Sequence, residues 1–386
     1  MIENGFPYIA FLAFTIAVIV QLDKKYKKFF SYVPGIVVIY FLVMTFSTFG
    51  LWKKTDEITF YYKHFKTSLL PIMIFLMLLR CDLKKILKLG PRMLLGFFAS
   101  SLTIGIGFIV TFMLFKSYYE PHTWKTFAAL CGSWMGGTGN MAAIQLALGV
   151  TDSQMGYTLL MDSINYSVWV MLLLAIVPFA AKFNKWAGAD TKMLDEVGKQ
   201  LSQDEAEKET EMDFTHLTLL IGVSFAVAGL SRYAAGFLPV TAFLSINTWT
   251  VIIATIAGIL GALTPLGKTP GIPPLGNFTL YMIVALIASR ANFAELTEAP
   301  LYILSGFVIL TVHVILLGLI AKLFKLDLFT CGVASLANIG GVASAPILAA
   351  AYSEALVPIG VLMGMMGYVV GTGGGLLVGK ILSMLY

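Results

Sequence analysis

Charge is scarce in this chain. Asp, Glu, Lys and Arg make up 12% of its 386 residues, about half the share found in soluble domains. Hydrophobic residues make up 58%, and the mean hydropathy is +0.85. That balance excludes a soluble globular domain and calls for an all-α polytopic membrane protein, whose first partner is the lipid bilayer. The net charge of +5 is spread over many loops, with no basic patch interleaved with aromatic residues, which excludes a nucleic-acid partner. Cysteine is equally sparse. Cys81, Cys131 and Cys331 have neither metal-site nor disulfide spacing and read as small packing residues. No phosphate-binding P-loop is present, which excludes a nucleotide-driven pump. The opening MIENGFPYIAFLAF lacks a basic n-region and a small-residue cleavage site, so it reads as a first span rather than a removed signal peptide.

What is present is a series of apolar runs near the length that spans a bilayer, roughly 17–25 residues. They fall at 7–22, 30–52, 67–81, 93–115, 124–149 and 154–181, then at 214–238, 244–264, 275–289, 300–324, 328–352 and 355–385. About 12 transmembrane segments are expected, in a multi-pass protein of the cell (plasma or inner) membrane. Between the two sets, residues 182–213 carry nine acids against five lysines. Such a segment is a solvated helix or a disordered linker. The chain is therefore divided into a first repeat (1–181), a charged linker (182–213) and a second repeat (214–386). The loop at 265–276, rich in proline and glycine, should be extended or turning.

The halves resemble each other. FLMLLRCDLKKILKLGP (75–91) answers VALIASRANFAELTEAP (284–300), and CGSWMGGTGNMAAIQLALGV (131–150) answers ASLANIGGVASAPILAAAY (334–352). The second pair places Gly136-Gly137 and Gly340-Gly341 inside short polar breaks at 132–141 and 335–346. Each break is followed by an alanine-rich half-helix, an acidic turn (Asp152; Glu354) and a glycine-containing span. Loop charge bears on orientation. In the first half, nine Lys/Arg follow the odd spans and six, Lys63 and Lys66 among them, follow the even ones; in the second half the bias reverses, two against four. Under the positive-inside rule that reversal favours inverted repeats. Six spans per half do not fit inversion, so one segment is expected to be re-entrant or to lie along the surface. Arg80 and Arg290 end equivalent spans and are expected to snorkel to the interface.

Glycines break helices, and a break at membrane depth is tolerated only where protein or a water-filled cavity surrounds it. Discontinuous helices of this kind form ion and substrate sites in secondary transporters. Asp162 is the only charged side chain between Asp152 and Lys182. An intramembrane acid marks an ion or proton route more often than a structural carboxyl. Asn165, one turn on, would add a hard carbonyl oxygen, so Asp162 and Asn165 form a candidate Na⁺ site. Asn140 can N-cap the half-helix that follows the first break, with Ser344 in the same part at the second. A half-helix N-terminus seats an anionic group, so Gly136, Gly137, Thr138, Asn140, Gly340, Gly341 and Ser344 are candidate solute-binding residues. Asn140, Asn338 and Ser335 are candidates to complete the ion site. Pro346 suits the first turn of its half-helix. His313, alone in its span, reads as a packed, hydrogen-bonded residue and is left out of the site. The glycines of GVLMGMMGYVVGTGGGLLVG (360–379) are expected to allow close helix packing; the alternative is a second unwound region.

These motifs carry a resemblance over nearly the whole chain. The element Gly136-Gly137-Thr138-Gly139-Asn140, the aspartate in LLMDSIN, the stretch SLANIGGVASAP and the ending GYVVGTGGGLL resemble the bacterial and plant membrane family known as domain-of-unknown-function 819. That family is grouped with the cation:proton antiporter/anion transporter superfamily, which includes sodium–bile acid symporters and sodium/proton antiporters. The resemblance implies a core domain with two crossing broken helices, a separate panel or dimerisation domain that leaves a homodimer open, and elevator-like alternating access. It also implies that the ion-binding span falls on Asp162 and Asn165. The chain departs from a two-acid pattern: Gly364, Met365 and Met366 stand where a second acid would.

Four functions are weighed. A secondary active transporter would couple a small organic solute, expected to be anionic, to Na⁺ or H⁺, with no other cofactor. A cation/proton antiporter would want paired acids or an intramembrane lysine. An intramembrane aspartyl protease needs two acids, and a serine enzyme needs a Ser/His pair; Ser133 has no evident partner. The expectation is a transporter and not an enzyme. Deletion of most of 190–211 should leave membrane insertion and activity intact, since a charged segment poor in aromatics buries little. Loss of insertion in that variant would show that the linker docks.

Overall fold

A chain that is apolar on every side must close its backbone hydrogen bonds within itself, and helices do this best. The computed structural model describes residues 1–30, 35–53, 55–81, 86–189, 212–241, 244–291, 293, 299–353 and 356–386. Helix accounts for 86% of the structure, and the described residues form no strand, only an isolated bridge between Ile2 and Trp52. The first half holds α1 (Gly5–Lys25), α2 (Lys27–Phe30), α3 (Gly35–Thr48), α4 (Asp56–Leu79), α5 (Gly90–Phe115), α6 (Thr123–Gly136), α7 (Thr138–Leu148), α8 (Asp152–Ile176) and α9 (Ala180–Ala187). The second holds α10 (Phe214–Ala235), α11 (Ile246–Ala262), α12 (Ile272–Ala288), α13 (Ala299–Phe324), α14 (Leu328–Ile339), α15 (Gly341–Tyr352) and α16 (Val357–Leu385). Seven are long and apolar enough to cross a membrane: α1, α4, α5, α8, α10, α13 and α16. Helices α3, α11, α12, α14 and α15 are apolar but shorter. Linker residues 190–211 and Glu354 lie outside the described residues.

Local chemistry moves two boundaries. Helix α4 starts at Asp56 rather than near residue 67. The Thr55 side chain accepts the N–H of Ile58, and Asp56 and Glu57 sit at the positive end of the helix dipole. Lys63 and Lys66, counted above among the loop charges, are therefore helical. The loop at 265–276 is extended only in part. It makes a 3-10 turn at Pro265–Lys268, and α12 begins at Ile272 with Pro273 and Pro274 in its first turn, where their missing N–H groups are not needed.

Two large hydrophobic cores form among the described residues, beside two smaller clusters, and each large core draws on both halves of the chain. The first is built chiefly from α1, α3, α4, α7, α11 and α12. The second is built from α5, α6, α8, α13, α14, α15 and α16. Helix α16 is unbroken, and its glycines are packing positions. A Cβ at Gly360 would lie 2.7 Å from the Ala345 carbonyl oxygen, one at Gly364 2.7 Å from the Val342 Cα, and one at Gly367 2.9 Å from the Gly136 Cα. A Cβ at Gly371 would lie 2.9 Å from the Gly132 carbonyl oxygen. Spaced three and four residues apart, these glycines share one face of α16. That face lies backbone to backbone against α15 and α6.

An alanine placed in this contact should therefore destabilise the protein. At Gly136 the new Cβ would come 2.1 Å from the Gly367 carbonyl oxygen, whereas Gly373 has nothing within 4 Å. Gly136→Ala should lose about 1–3 kcal/mol through overpacking. Gly373→Ala should be neutral or gain up to ~1 kcal/mol. Thermal unfolding of the two variants in detergent checks this, and equal stabilities would contradict the close approach.

Candidate functional site

The site begins where two helices stop. Helix α6 ends at Gly136, Gly137 takes φ +86°, and α7 restarts at Thr138. Helix α14 ends at Ile339, and the chain passes Gly340 and Gly341, the latter at φ +63°, into α15. Gly137 and Gly341 occupy a left-handed region that residues with a Cβ rarely adopt. Neither restart has a side-chain cap. Asn140 and Ser344, expected to cap them, sit inside the first turn and reach backward instead. The Asn140 Nδ2 donates to the Gly136 carbonyl at 2.6 Å, and the Ser344 hydroxyl donates to the Gly340 carbonyl at 3.2 Å. Each satisfies a carbonyl freed by the break, which leaves the first N–H groups of α7 and α15 uncapped by side chains. Pro346, expected in the first turn of α15, lies in the second.

A cavity of about 380 Å³ lies against both breaks. Ser133, Gly137 and Thr138 line it from the first break, and Gly340, Gly341 and Ser344 from the second. Asp162, Ser163 and Tyr166 of α8 and Tyr368 of α16 complete the second core's share. The first core contributes Ile36 and Val37 of α3, Met77 and Arg80 from the end of α4, and Asn277 and Tyr281 of α12. The cavity thus lies between the two cores.

Asp162 is half-buried. Its carboxylate accepts the Trp134 Nε1–H at 2.8 Å and the Ser133 hydroxyl at 3.4 Å. Tyr166 hydrogen-bonds with the Ser344 hydroxyl, which joins α8 to the second break. Arg80 is also half-buried and has no hydrogen-bond or ion-pair partner among the described residues. Among the described residues, Asp162 and Arg80 are the two charged side chains that line the cavity.

A family model described as a protein of unknown function, DUF819, matches residues 10–385. The chain belongs to the DUF819 family. It is 24% identical over 378 residues to the uncharacterized membrane protein YjcL of Bacillus subtilis (strain 168), a match covering 94% of this chain and 92% of that relative.

Four residues expected near Asp162 in this DUF819 chain are turned elsewhere: Asn140, bonded to the Gly136 carbonyl and to Thr372, and Asn165, Asn338 and Ser335. Asn165 is buried against α13, where its Nδ2 donates to the Ile303 carbonyl at 3.1 Å and its Oδ1 has no partner among the described residues. Gly306 makes room for it: a Cβ there would lie 2.2 Å from the Asn165 Oδ1. Asn338 ties α14 to α5, accepting the Ser101 hydroxyl at 2.6 Å and donating to the Phe97 carbonyl at 3.3 Å. Ser335 accepts the Trp169 Nε1–H at 3.0 Å and pairs with the His313 Nε2 at 2.8 Å. The His313 Nδ1 pairs with the Thr103 hydroxyl at 2.7 Å, so that histidine is a bonded core residue.

The two arginines do not snorkel. Arg80 faces the cavity. Arg290 stacks on the Tyr62 ring, 4.8 Å from its centroid, and its Nη2 donates to the Thr59 hydroxyl at 2.9 Å. The sequence reading missed Arg80, Tyr166, Asn277, Tyr281 and Tyr368. A signal existed for Arg80, the lone charge ending a short apolar run, but a snorkelling residue has the same pattern.

Asn140 also accepts the Thr372 hydroxyl at 2.6 Å, so it clasps α6 to α16. Asn140→Ala would strand the Gly136 carbonyl and the Thr372 hydroxyl, at about 1–3 kcal/mol for each buried group left unpaired. Thr372→Val should cost less, and the double variant no more than Asn140→Ala alone. Chemical or thermal unfolding of the three variants measures this, and additive losses would rule out a shared bond.

Proposed function

We propose that this DUF819 protein is a secondary active transporter that moves a small organic anion coupled to Na⁺ or H⁺ across the cell (plasma or inner) membrane. One observation carries the reading. Two discontinuous helices open uncapped N-termini on a single cavity that also holds one carboxylate and one guanidinium. Uncapped half-helix N-termini favour anionic groups, and an aspartate at such a site suits a coupling cation. In this reading the two breaks are equivalent parts of inverted repeats, in a chain of about 12 transmembrane segments, and their helices cross. Support comes from matched bonding: Asn140 and Ser344 each reach back four residues to the freed carbonyl. The packing of α6 against α14 supports it too. Membership of the cation:proton antiporter/anion transporter superfamily fits the same features.

The surroundings of the two half-helices differ, as one state of an alternating-access cycle requires. Helix α7 is buried along nearly its whole length beneath α4 and α11. Helix α15 leaves Ala343, Ile347, Ala350 and Ala351 exposed. In the opposite state of this reading, α15 would be covered and α7 uncovered. A cation/proton antiporter is the weaker reading, because Arg80 repels a lone cation. The protein is not proposed to be an enzyme, and no cofactor is assigned beyond the coupling ion.

Asp162 carries the coupling ion in this reading, with the hydroxyls of Ser133 and Thr138 beside it. Asp162→Asn should keep the fold. If the ion is Na⁺, the variant should lose sodium-dependent uptake. If it is H⁺, the variant should lose pH dependence and retain exchange without a gradient. Uptake of labelled carboxylates into proteoliposomes, with and without a sodium or pH gradient, is the measurement. Gradient-driven uptake at the wild-type rate in Asp162→Asn would falsify the assignment.

A further inference from the structure

The cavity's charges fix more than the presence of an anion. Among the described residues its lining carries one positive side chain, Arg80, and one negative, Asp162, and they do not pair with each other. A half-buried guanidinium with no partner among the described residues lacks the hydrogen bonds its five donors require. Its planar fork matches a carboxylate in a bidentate pair. The uncapped N–H groups of α15 open on the same space. Tyr166, Tyr281 and Tyr368 add ring faces and hydroxyls for the solute's body.

Resting on the transport reading above, we infer that the solute is an organic monocarboxylate held by Arg80, and that it travels one-to-one with a single monovalent cation at Asp162. The argument is electrostatic. The empty cavity sums to zero charge. With a monocarboxylate alone it carries one net negative charge, and with the cation alone one net positive charge. With both it returns to zero. A net charge is expensive to carry through a low-dielectric barrier, so only the empty and the doubly loaded forms cross readily. Coupling then follows from charge balance, without a separate gate. A dicarboxylate would leave a surplus negative charge. A zwitterion would place its ammonium on Asp162 and displace the cation. Transport of the monocarboxylate is electroneutral.

The test uses the full-length protein and five probes: lactate, mandelate, the uncharged lactamide, succinate and alanine. In detergent, with Na⁺ present, lactate or mandelate should raise the melting temperature, and lactamide, succinate and alanine should not. Arg80→Gln should weaken the monocarboxylate response about tenfold or more, and Arg80→Lys should weaken it less, as expected for loss of charge-assisted hydrogen bonds. The melting temperature without probe reports whether each variant is folded. In proteoliposomes, a potential imposed with potassium and valinomycin should leave the monocarboxylate uptake rate unchanged. No response to either monocarboxylate, an undiminished response in folded Arg80→Gln, or uptake that follows the potential overturns the inference. Cation-coupled uptake of alanine or lactamide overturns it while the transport reading stands. Gradient-driven monocarboxylate uptake that survives Asp162→Asn but not Arg80→Gln leaves the carboxylate seat in place and refutes the one-to-one cation.

Discussion

The fold turns on the contact between α16 and the backbone of two interrupted helices. A helix that stops in apolar surroundings strands N–H and C=O groups, each costly to leave unpaired. Here the loose ends are held by a helix close enough to touch them. The approach of Gly367 to Gly136, and of Gly364 to Val342, brings polar backbone and the Asn140–Thr372 bond into the same layer. Any side chain on that face of α16 would push the breaks away and leave their carbonyls bare. Five residues therefore depend on one another: Gly136, Gly364, Gly367, Asn140 and Thr372.

A second constraint anchors α7 to the first core. The Ser245 and Thr248 hydroxyls at the start of α11 both donate to the Ala147 carbonyl near the end of α7, at 3.2 and 2.8 Å. Just beyond, Asp152 accepts from Lys66 at 2.7 Å, from the Tyr62 hydroxyl at 2.6 Å and from Gln145 at 3.0 Å. A largely enclosed ion pair of this kind stabilises little against a well-packed apolar alternative, but removing one partner is costly. It acts more as a register mark than as glue. It holds α7 in one place along α4, with the break at one end and the charges at the other.

The sequence was most informative where period and composition decide the outcome. The twelve apolar runs became helices, and both Gly-Gly pairs interrupt them, because apolar length and glycine act locally. The lone Asp162 was visible for the same reason: a charge inside an apolar run must face something polar. Tertiary direction was not legible. Asn165 is one turn from Asp162, yet it is drawn to the gap at Gly306 on a helix more than a hundred residues away. Asn338 and Ser335 look like ion ligands in a one-dimensional list and prove to be ties to α5, Trp169 and His313. Asn140 and Ser344 lie near helix starts, yet the carbonyls four residues back are the groups within reach. Arg80 and Arg290 share a pattern and differ in outcome, because only one of them ends beside a cavity.

The distribution of charge between the two cores has a mechanical consequence for the proposed transport. Asp162 lies on α8 of the second core, whereas Arg80 follows α4 of the first. A solute that touches Arg80 and the α15 N-terminus together bridges the two bodies. Binding energy spent at Arg80 therefore favours the state in which both charges line one cavity.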